Sequence, residues 1–525
     1  MDQYQNAVAT VLQKEFATIS ELIQLHAVYR PQHLAYIQNA QTLTYQELDQ
    51  MMDLVVKSLQ RNQIQAGDAI AICASTSFDY VIVFLGALRA GVVVAPLAPS
   101  TTAEGLLSMI TDADASIVFL DQDMTLEMAS VLDQINVPII SVGSVAKNSL
   151  VSWLAPSIID DSPVNAPDIR PDSAFNIIYS SGTTGKPKGI VQPYAMRWAH
   201  VQRGQFSGYS ADTVTLLSTP LYSNTTLVSF FATVAMGGTS ILMAKFDVKT
   251  YLSLAQQYRV THTMLVPVQY QRLMAYPDFD QHDLSSYRFK FSTSAPFSAA
   301  LKKDVLVRWP GGLTELYGMT EGGGTCMLLA HQYPAKLHTV GQPAPGSEFR
   351  IIDEQGQPLP VGQQGEIVGR SMGMMSGYHK LPEKTAETEW YDADGVRFIR
   401  TGDVGRFDED GFLTLMDRKK DMIISGGFNI YPSDIEAILS QHPDVADLAV
   451  VGVPSSQWGE TPIAFVVVNS TNVTAAEILS WANTRLGKMQ RLAHVEVVVS
   501  LPRSPIGKIL KRELRDQYQN HSGLG

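Results

Sequence analysis

Between Ser180 and Gly189 the chain reads Ser-Ser-Gly-Thr-Thr-Gly-Lys-Pro-Lys-Gly, which places four hydroxyls, three glycines and two lysines in ten residues. Hydroxyls donate hydrogen bonds and lysines supply compact positive charge. Glycine lets backbone N–H groups approach a ligand closely, so the combination suits a polyphosphate. The pattern is not the common nucleotide loop, because Ser180 stands where that loop needs its first glycine and Pro187 follows Lys186. An apolar run, Ala174 to Tyr179, leads in and Ile190 and Val191 lead out, so the segment reads as a loop between two strands. The bland alternative is a solvated Ser/Gly linker.

Three further groups carry chemistry. Tyr317-Gly318-Met319-Thr320-Glu321 follows a strand-like run and precedes Gly322 to Gly324. There an aromatic face, a hydroxyl and a carboxylate on one turn could stack a base, donate to a phosphate and hold Mg²⁺. Thr401-Gly402-Asp403 reads as a tight turn whose carboxylate could accept two hydrogen bonds from a ribose diol. Lys508 lies on a Gly-hinged turn within Pro502 to Arg512, in a tail where eight basic residues face two acidic ones between Arg485 and Arg515. Taken singly, each has an ordinary structural reading: a capped loop, a turn aspartate, a solvated lysine.

The elements that must position these groups are α/β in character. Ala69 to Ala74, Gly91 to Pro96, Ser116 to Leu120 and Val137 to Val142 are short apolar runs between helical stretches, the pattern of parallel strands buried on both faces. A second series follows the loop at Val214 to Leu217, Thr239 to Met243, Thr263 to Val266 and Tyr287 to Ser292, so two α/β halves precede residue 292. From Val340 to Phe412 short strands alternate with Gly, Pro and Asp turns, the mark of a small β-rich unit. A charged run, Asp417 to Asp421, sets the clearest boundary. The expected fold is therefore α/β and multidomain, with a large N-terminal domain, 1–418, of two α/β subdomains plus the β-rich unit, and a small α+β C-terminal domain, 419–525.

Bulk properties narrow the partners. The 525 residues exceed one core, and 45% hydrophobic with 17% charged residues is ordinary for a globular enzyme. The net charge of -12 argues against a nucleic-acid or anionic-membrane surface, so an anionic ligand must be held by local cations. Only Cys73 and Cys326 occur, far apart and without metal-ligand spacing, which argues against a disulfide scaffold or zinc site and fits a reducing cytoplasm. Neither a signal peptide nor a membrane span is visible, since the most apolar stretch, Val81 to Ala98, carries Arg89, glycines and a proline.

Taken in this order, the four groups resemble the adenylate-forming superfamily of acyl-CoA and aryl-CoA synthetases, nonribosomal adenylation domains and beetle luciferases. The likeness spans nearly the whole chain, from Leu43-Thr44-Tyr45-Gln46-Glu47-Leu48 to Lys508. It implies that Ser181, Gly182, Thr183, Thr184 and Lys188 hold the phosphates of ATP, Thr320 the α-phosphate and Glu321 the Mg²⁺. Ser294-Ala295-Pro296 would line the adenine with Tyr317 stacked on it, while Asp403 and Arg418 would bind the ribose. Lys508 would bridge the acid and the α-phosphate. Tyr222, Ser223, Asn224, Thr225, Gly318 and Met319 would form the acid pocket. The C-terminal domain would turn about Lys420, and Ser425, Gly426, Gly427 and Trp458 would then border CoA. The implied reaction joins a carboxylic acid, aromatic or medium- to long-chain aliphatic, to CoA through acyl-AMP.

Two departures qualify the likeness: Ser223 stands where many such ligases have His, and Leu486 to Arg491 lacks the usual Lys-x-Pro. Two rival readings are an enzyme that loads an amino or acyl group onto a carrier protein and a regulatory nucleotide binder without catalysis. The first is weakened for amino acids because Ser223 to Ala235 contains no acidic residue. The sequence leaves the oligomeric state open, a homodimer included.

Overall fold

The computed structural model describes residues 2–143, 148–160, 162–164, 167–180, 188–418, 421–425, 428–455, 457–469, 473–504 and 507–522. It divides into two compact units: Met1–Leu337 with Ala344–Glu348 and Arg370–Ile399, and His338–Pro343 with Phe349–Gly369 and Arg400–Gly525.

In the first unit, runs of successive apolar residues become strands covered on both faces. Every residue of Ala69–Cys73 and Val93–Pro96 is buried, and the two strands pair in parallel. Ala115–Leu120 and then Ile139–Ser141 extend the sheet in parallel on one side. On the other side Ala174–Ser180 joins in parallel, and Lys188–Pro193 folds back antiparallel against it, with Ser180 opposite Lys188. The two strands flanking the hydroxyl-rich loop thus form a hairpin at the edge of a buried parallel sheet. The loop's own residues 181–187 lie outside the described residues.

The second series forms another mainly parallel sheet, in the order Gly312–Gly318, Phe289–Ser292, His262–Leu265, Val214–Leu217, Thr239–Leu242 and Leu34–Gln38. Antiparallel strands, Thr325–Leu329 and Gln41–Thr44, flank it. Leu34–Gln38, early in the chain, therefore belongs to the later half. It pairs with Thr239–Leu242, and Thr239 Oγ1 donates to the Leu34 carbonyl at 2.7 Å. The local apolar pattern carries no sign of this long-range pairing.

Helices cover both sheets. Tyr45–Arg61 begins at a capping box, in which the Thr44 hydroxyl accepts from the Glu47 N–H and the Glu47 carboxylate accepts from the Thr44 N–H. Phe78–Arg89 is buried from Tyr80 onward, and its Arg89 is paired with Asp49 and Asp53 at 2.5 and 2.7 Å. Residues 81–98 are thus the interior helix and strand that the sequence leads one to expect.

In the second unit, Val445–Ser455 and Gly459–Val468 form a long antiparallel hairpin, with His494–Val497 parallel beside it. Pro432–Leu439 and Ala475–Asn483 contribute Ile435, Leu439, Ile478 and Ala482 to the core under this sheet. Arg397–Phe407, which belongs to this unit from Arg400 onward, is one continuous strand paired with Leu413–Arg418. The tight turn expected at Thr401-Gly402-Asp403 is therefore corrected to an irregular stretch within a strand. Gly402 sits at φ +71° there, and the pairing register shifts between Val404 and Gly405.

Candidate active site

Lys188 and Glu321 are joined by one tyrosine, at its ring face and at its hydroxyl. Lys188 Nζ lies 5.1 Å from the centre of the Tyr378 ring, and the Tyr378 hydroxyl donates to Glu321 Oε1 at 2.9 Å. Burial pushes that hydroxyl above its ordinary range, and the Glu321 carboxylate reinforces the shift, so the phenol stays protonated. Tyr378 is fixed by pairing opposite Ile190 and by its N–H, which donates to Thr385 Oγ1 at 2.9 Å.

The turn that carries Thr320 and Glu321 is held through three consecutive carbonyls. Gln192 Nε2 donates to Thr320 O at 2.7 Å, the Met375 N–H to Glu321 O at 2.8 Å, and Ser371 Oγ to Gly322 O at 3.1 Å. Gly322 has φ +81°, and a Cβ there would lie 2.1 Å from Gly373 O. Only glycine lets the turn lie against residues 371–375. Met319 packs with Ile190, Met375, Tyr378 and Ile399, which places it in the apolar cluster beside Tyr378.

Among the described residues no group of three or more His, Cys, Asp or Glu side chains gathers as a metal cage. A single carboxylate such as that of Glu321 still suits Mg²⁺, which is commonly held by one or two carboxylates together with substrate phosphates and water.

At the C-terminal ends of the second sheet's strands, Ser294 follows Phe289–Ser292 in a left-handed conformation, φ +80°, unusual for a residue with a Cβ. Its hydroxyl lies 2.6 Å from that of Thr225, near the start of helix Asn224–Ala235. Ser294, expected from the sequence at the adenine, and Thr225, expected at the acid, are therefore in contact. Asn224 Oδ1 is buried with no hydrogen-bond partner among the described residues, and Ser223 is buried at the N-cap without making a side-chain capping bond. The Asn224 side chain therefore has unused hydrogen-bonding capacity of the kind a ligand can fill. Tyr222 turns instead to Ser100 and the Cys73 strand; burial pushes its hydroxyl up to about 12, and the bond to Ser100 opposes the shift. Tyr317 and the exposed Gly318 end strand Gly312–Gly318, opposite Cys326 and Thr325. Ala295 is half-buried and Pro296 exposed.

In the second unit Asp403 and Arg418 are cross-strand partners. The Asp403 N–H donates to Thr401 Oγ1 at 3.1 Å, and Thr401 Oγ1 donates to Ile367 O at 2.9 Å. Lys508 sits on a compact turn in which Ser504 N donates to Lys508 O at 2.8 Å and Lys508 N to Ser504 Oγ at 3.2 Å. Arg503 ties this turn to the long hairpin, donating to Gly507 O at 2.8 Å and to Asp447 Oδ2 at 2.6 Å. Ser425 pairs with Gly459, the residue after Trp458, whose side chain is 46% exposed. Ser425 and Trp458 are thereby brought to one end of the sheet. Ser181, Gly182, Thr183, Thr184, Lys420, Gly426 and Gly427 lie outside the described residues.

Residues 23–379 match the family model described as AMP-binding enzyme. The chain belongs to the AMP-binding enzyme family. Residues 434–508 match the C-terminal domain of AMP-binding enzymes. A fatty acid–[acyl-carrier-protein] ligase, ScoC, from Streptomyces coeruleorubidus is 30% identical over 97% of this chain and 98% of its own. 4-Coumarate–CoA ligase 2 of Nicotiana tabacum is 32% identical over 91% and 90%. Among solved structures, ATP-bound MatB from Rhodopseudomonas palustris superposes with a TM-score of 0.87 at 29% identity, covering 96% of this chain and 99% of that one. As an AMP-binding enzyme the protein is an AMP-forming acid–thiol ligase, in which a carboxylate and ATP give an acyl-adenylate whose acyl group passes to a thiol. Among its described residues no helix is long and apolar enough to cross a membrane.

Sequence reasoning missed Tyr378 and Gln192. A tyrosine after glycine and a glutamine within an apolar strand are too common to signal a role, and only the fold sets them beside Glu321 and Thr320.

Proposed function

We propose that this AMP-binding enzyme joins an aromatic or a medium- to long-chain aliphatic acid to coenzyme A in the cytoplasm, with Mg²⁺ as its metal. The observation that carries the reading is the linked set Lys188, Tyr378 and Glu321 beside the hairpin of the hydroxyl-rich loop. Its buried free thiols, Cys73 and Cys326, suit a reducing compartment.

A carboxylate oxygen of the acid attacks the α-phosphorus of ATP, the bond to the β-phosphate breaks, and pyrophosphate leaves. Two anions must approach, so the barrier is mainly electrostatic and is lowered by fixed cations and donors rather than by a general base. Lys188, with Thr183 and Thr184, holds the β- and γ-phosphates, while Ser181 and Gly182 belong to the same cradle. Thr320 donates to the α-phosphate. Glu321 holds Mg²⁺, which when bound neutralises phosphate charge. Ser294, Ala295 and Pro296 border the adenine and Tyr317 stacks on it; Asp403 and Arg418 take the ribose hydroxyls. Lys508 bridges the acid and the α-phosphate. Ser223, Asn224, Thr225, Gly318 and Met319 shape the acid pocket, with Tyr222 behind them.

Residues 419–525 then act as a mobile domain hinged at Lys420, which withdraws Lys508 and brings Ser425, Gly426, Gly427 and Trp458 to the thiol's path. The thiolate attacks the acyl carbonyl and AMP departs.

Transfer to a carrier protein is the second reading, favoured by the likeness to ScoC over nearly the whole chain. A panel of aryl and fatty acids with ATP and either CoA or a phosphopantetheinyl carrier protein separates the two. Acyl-CoA and AMP from one acid class support the CoA reading, whereas AMP formed only with the carrier rejects it.

A further inference from the structure

The Thr320–Glu321 turn is anchored from inside the core by a charged residue outside the site assigned above. Arg197, on helix Tyr194–Phe206, is 1% exposed, and Gln192 and Asn176 are fully buried. Arg197 Nη2 donates to Gln192 Oε1 and, at 3.5 Å, to Asn176 Oδ1. Its guanidinium carbon lies 5.7 and 5.6 Å from the ring centres of Phe175 and Phe231, while Nε and Nη1 have no hydrogen-bond partner among the described residues. Burial lowers its pKa to about 9, which leaves it cationic at neutral pH.

A guanidinium only donates and a backbone carbonyl only accepts. A primary amide does one at each end, so Gln192 has a single orientation between Arg197 and Thr320 O. Gln192 is therefore the adaptor that turns a clamped cation into a donor for the carbonyl of Thr320.

We infer that Gln192 and Arg197 are positioning residues for adenylation: the Arg197–Gln192–Thr320 chain sets the Thr320 hydroxyl and Glu321 carboxylate in register with the nucleotide. The inference rests on the roles proposed above for Thr320 and Glu321. Without the donor from Gln192, the Thr320 carbonyl is left unpaired and the turn shifts.

Gln192→Glu tests this directly. The side chain keeps its size and its bond from Arg197, but a carboxylate cannot donate to Thr320 O. In the full-length chain, pyrophosphate exchange should fall by roughly 10- to 100-fold, the scale of an ångström misplacement, with a raised half-saturation for Mg·ATP. Thioester formation from supplied acyl-adenylate and the thermal midpoint should change little. Arg197→Lys, which retains a donor to Gln192, should keep more exchange activity than Arg197→Met, an ordering that holds the inference open to test if Gln192→Glu folds poorly. Unimpaired exchange in Gln192→Glu, equal exchange in the two Arg197 variants, or parallel loss of both half-reactions and of thermal stability would overturn it. A wild-type chain that exchanges with no acid overturns the underlying site reading instead.

Discussion

Asp403 and Arg418 stand directly opposite each other on neighbouring antiparallel strands, Arg397–Phe407 and Leu413–Arg418. The strand pairing sets side by side two backbone positions that are apart in sequence. A ribose diol that donates to the carboxylate gains hydrogen bonds to a charged group, each worth about 1.5–3 kcal/mol. Asp403→Ala should therefore raise the half-saturation for ATP by roughly ten-fold or more. The check is a cycle with 2′- and 3′-deoxy-ATP: the deoxy substrates should lose affinity in the wild type and little further in the variant. Additive losses would remove Asp403 from the ribose site.

Lys508 is presented by a turn closed on itself and tied to the hairpin through Arg503 and Asp447, so its loss should remove charge without unfolding the unit. Two unit charges at 4 Å interact by about 4 kcal/mol at an effective dielectric near 20. Lys508→Ala should thus slow adenylation by up to roughly a thousand-fold. Thioester formation from supplied acyl-adenylate should remain near normal. Equal loss in both half-reactions would contradict the assignment.

Tyr378→Phe keeps the ring under Lys188 and deletes only the donor to Glu321. Its effect should appear as a higher Mg²⁺ requirement in pyrophosphate exchange, with a rate loss of roughly ten- to a hundred-fold, the scale of one hydrogen bond to a charged group. A variant with unchanged Mg²⁺ dependence would reduce Tyr378 to packing.

His26 makes stability depend on pH. It is fully buried, its Nδ1 lies 3.0 Å from the Tyr4 hydroxyl and its Nε2 lies 2.8 Å from Ala235 O, partners that suit a neutral ring. Burial lowers its pKa from 6.5 to about 4, against a smaller opposing effect of the Ala235 bond. Between those values the unfolded chain binds a proton that the folded chain refuses. The stabilisation is therefore complete above pH 6.5 and is lost as pH falls toward 4, by up to about 3 kcal/mol. His262, also lowered to about 4 chiefly by burial, adds in the same direction. Urea midpoints at pH 7 and 4.5 should differ more for the wild type than for His26→Gln; identical differences would exclude His26.

The parallel strands were legible because burial on both faces demands unbroken apolar runs, as in Ala69–Cys73. Pairings across long stretches of chain were not, which is why Leu34–Gln38 joins the later sheet unannounced. Thr401-Gly402-Asp403 misled because a left-handed glycine can bend a strand as readily as end one. Candidate site residues stood out in the sequence where dense groups of polar side chains fall within a few residues, as at Thr320 and Glu321. Tyr378, Gln192 and Arg197 come to the turn only through contacts made between separate elements, and no local pattern marks them.

On the roles proposed above, the hydroxyl contact between Thr225 and Ser294 would couple two recognition tasks through one wall. If these residues border the acid and the adenine as proposed, an engineer who widens the acid chamber at Thr225 also loosens the nucleotide's cradle. Variants selected for bulkier acids would then arrive with weakened grip on ATP, and restoring it would call for a compensating change at Ser294.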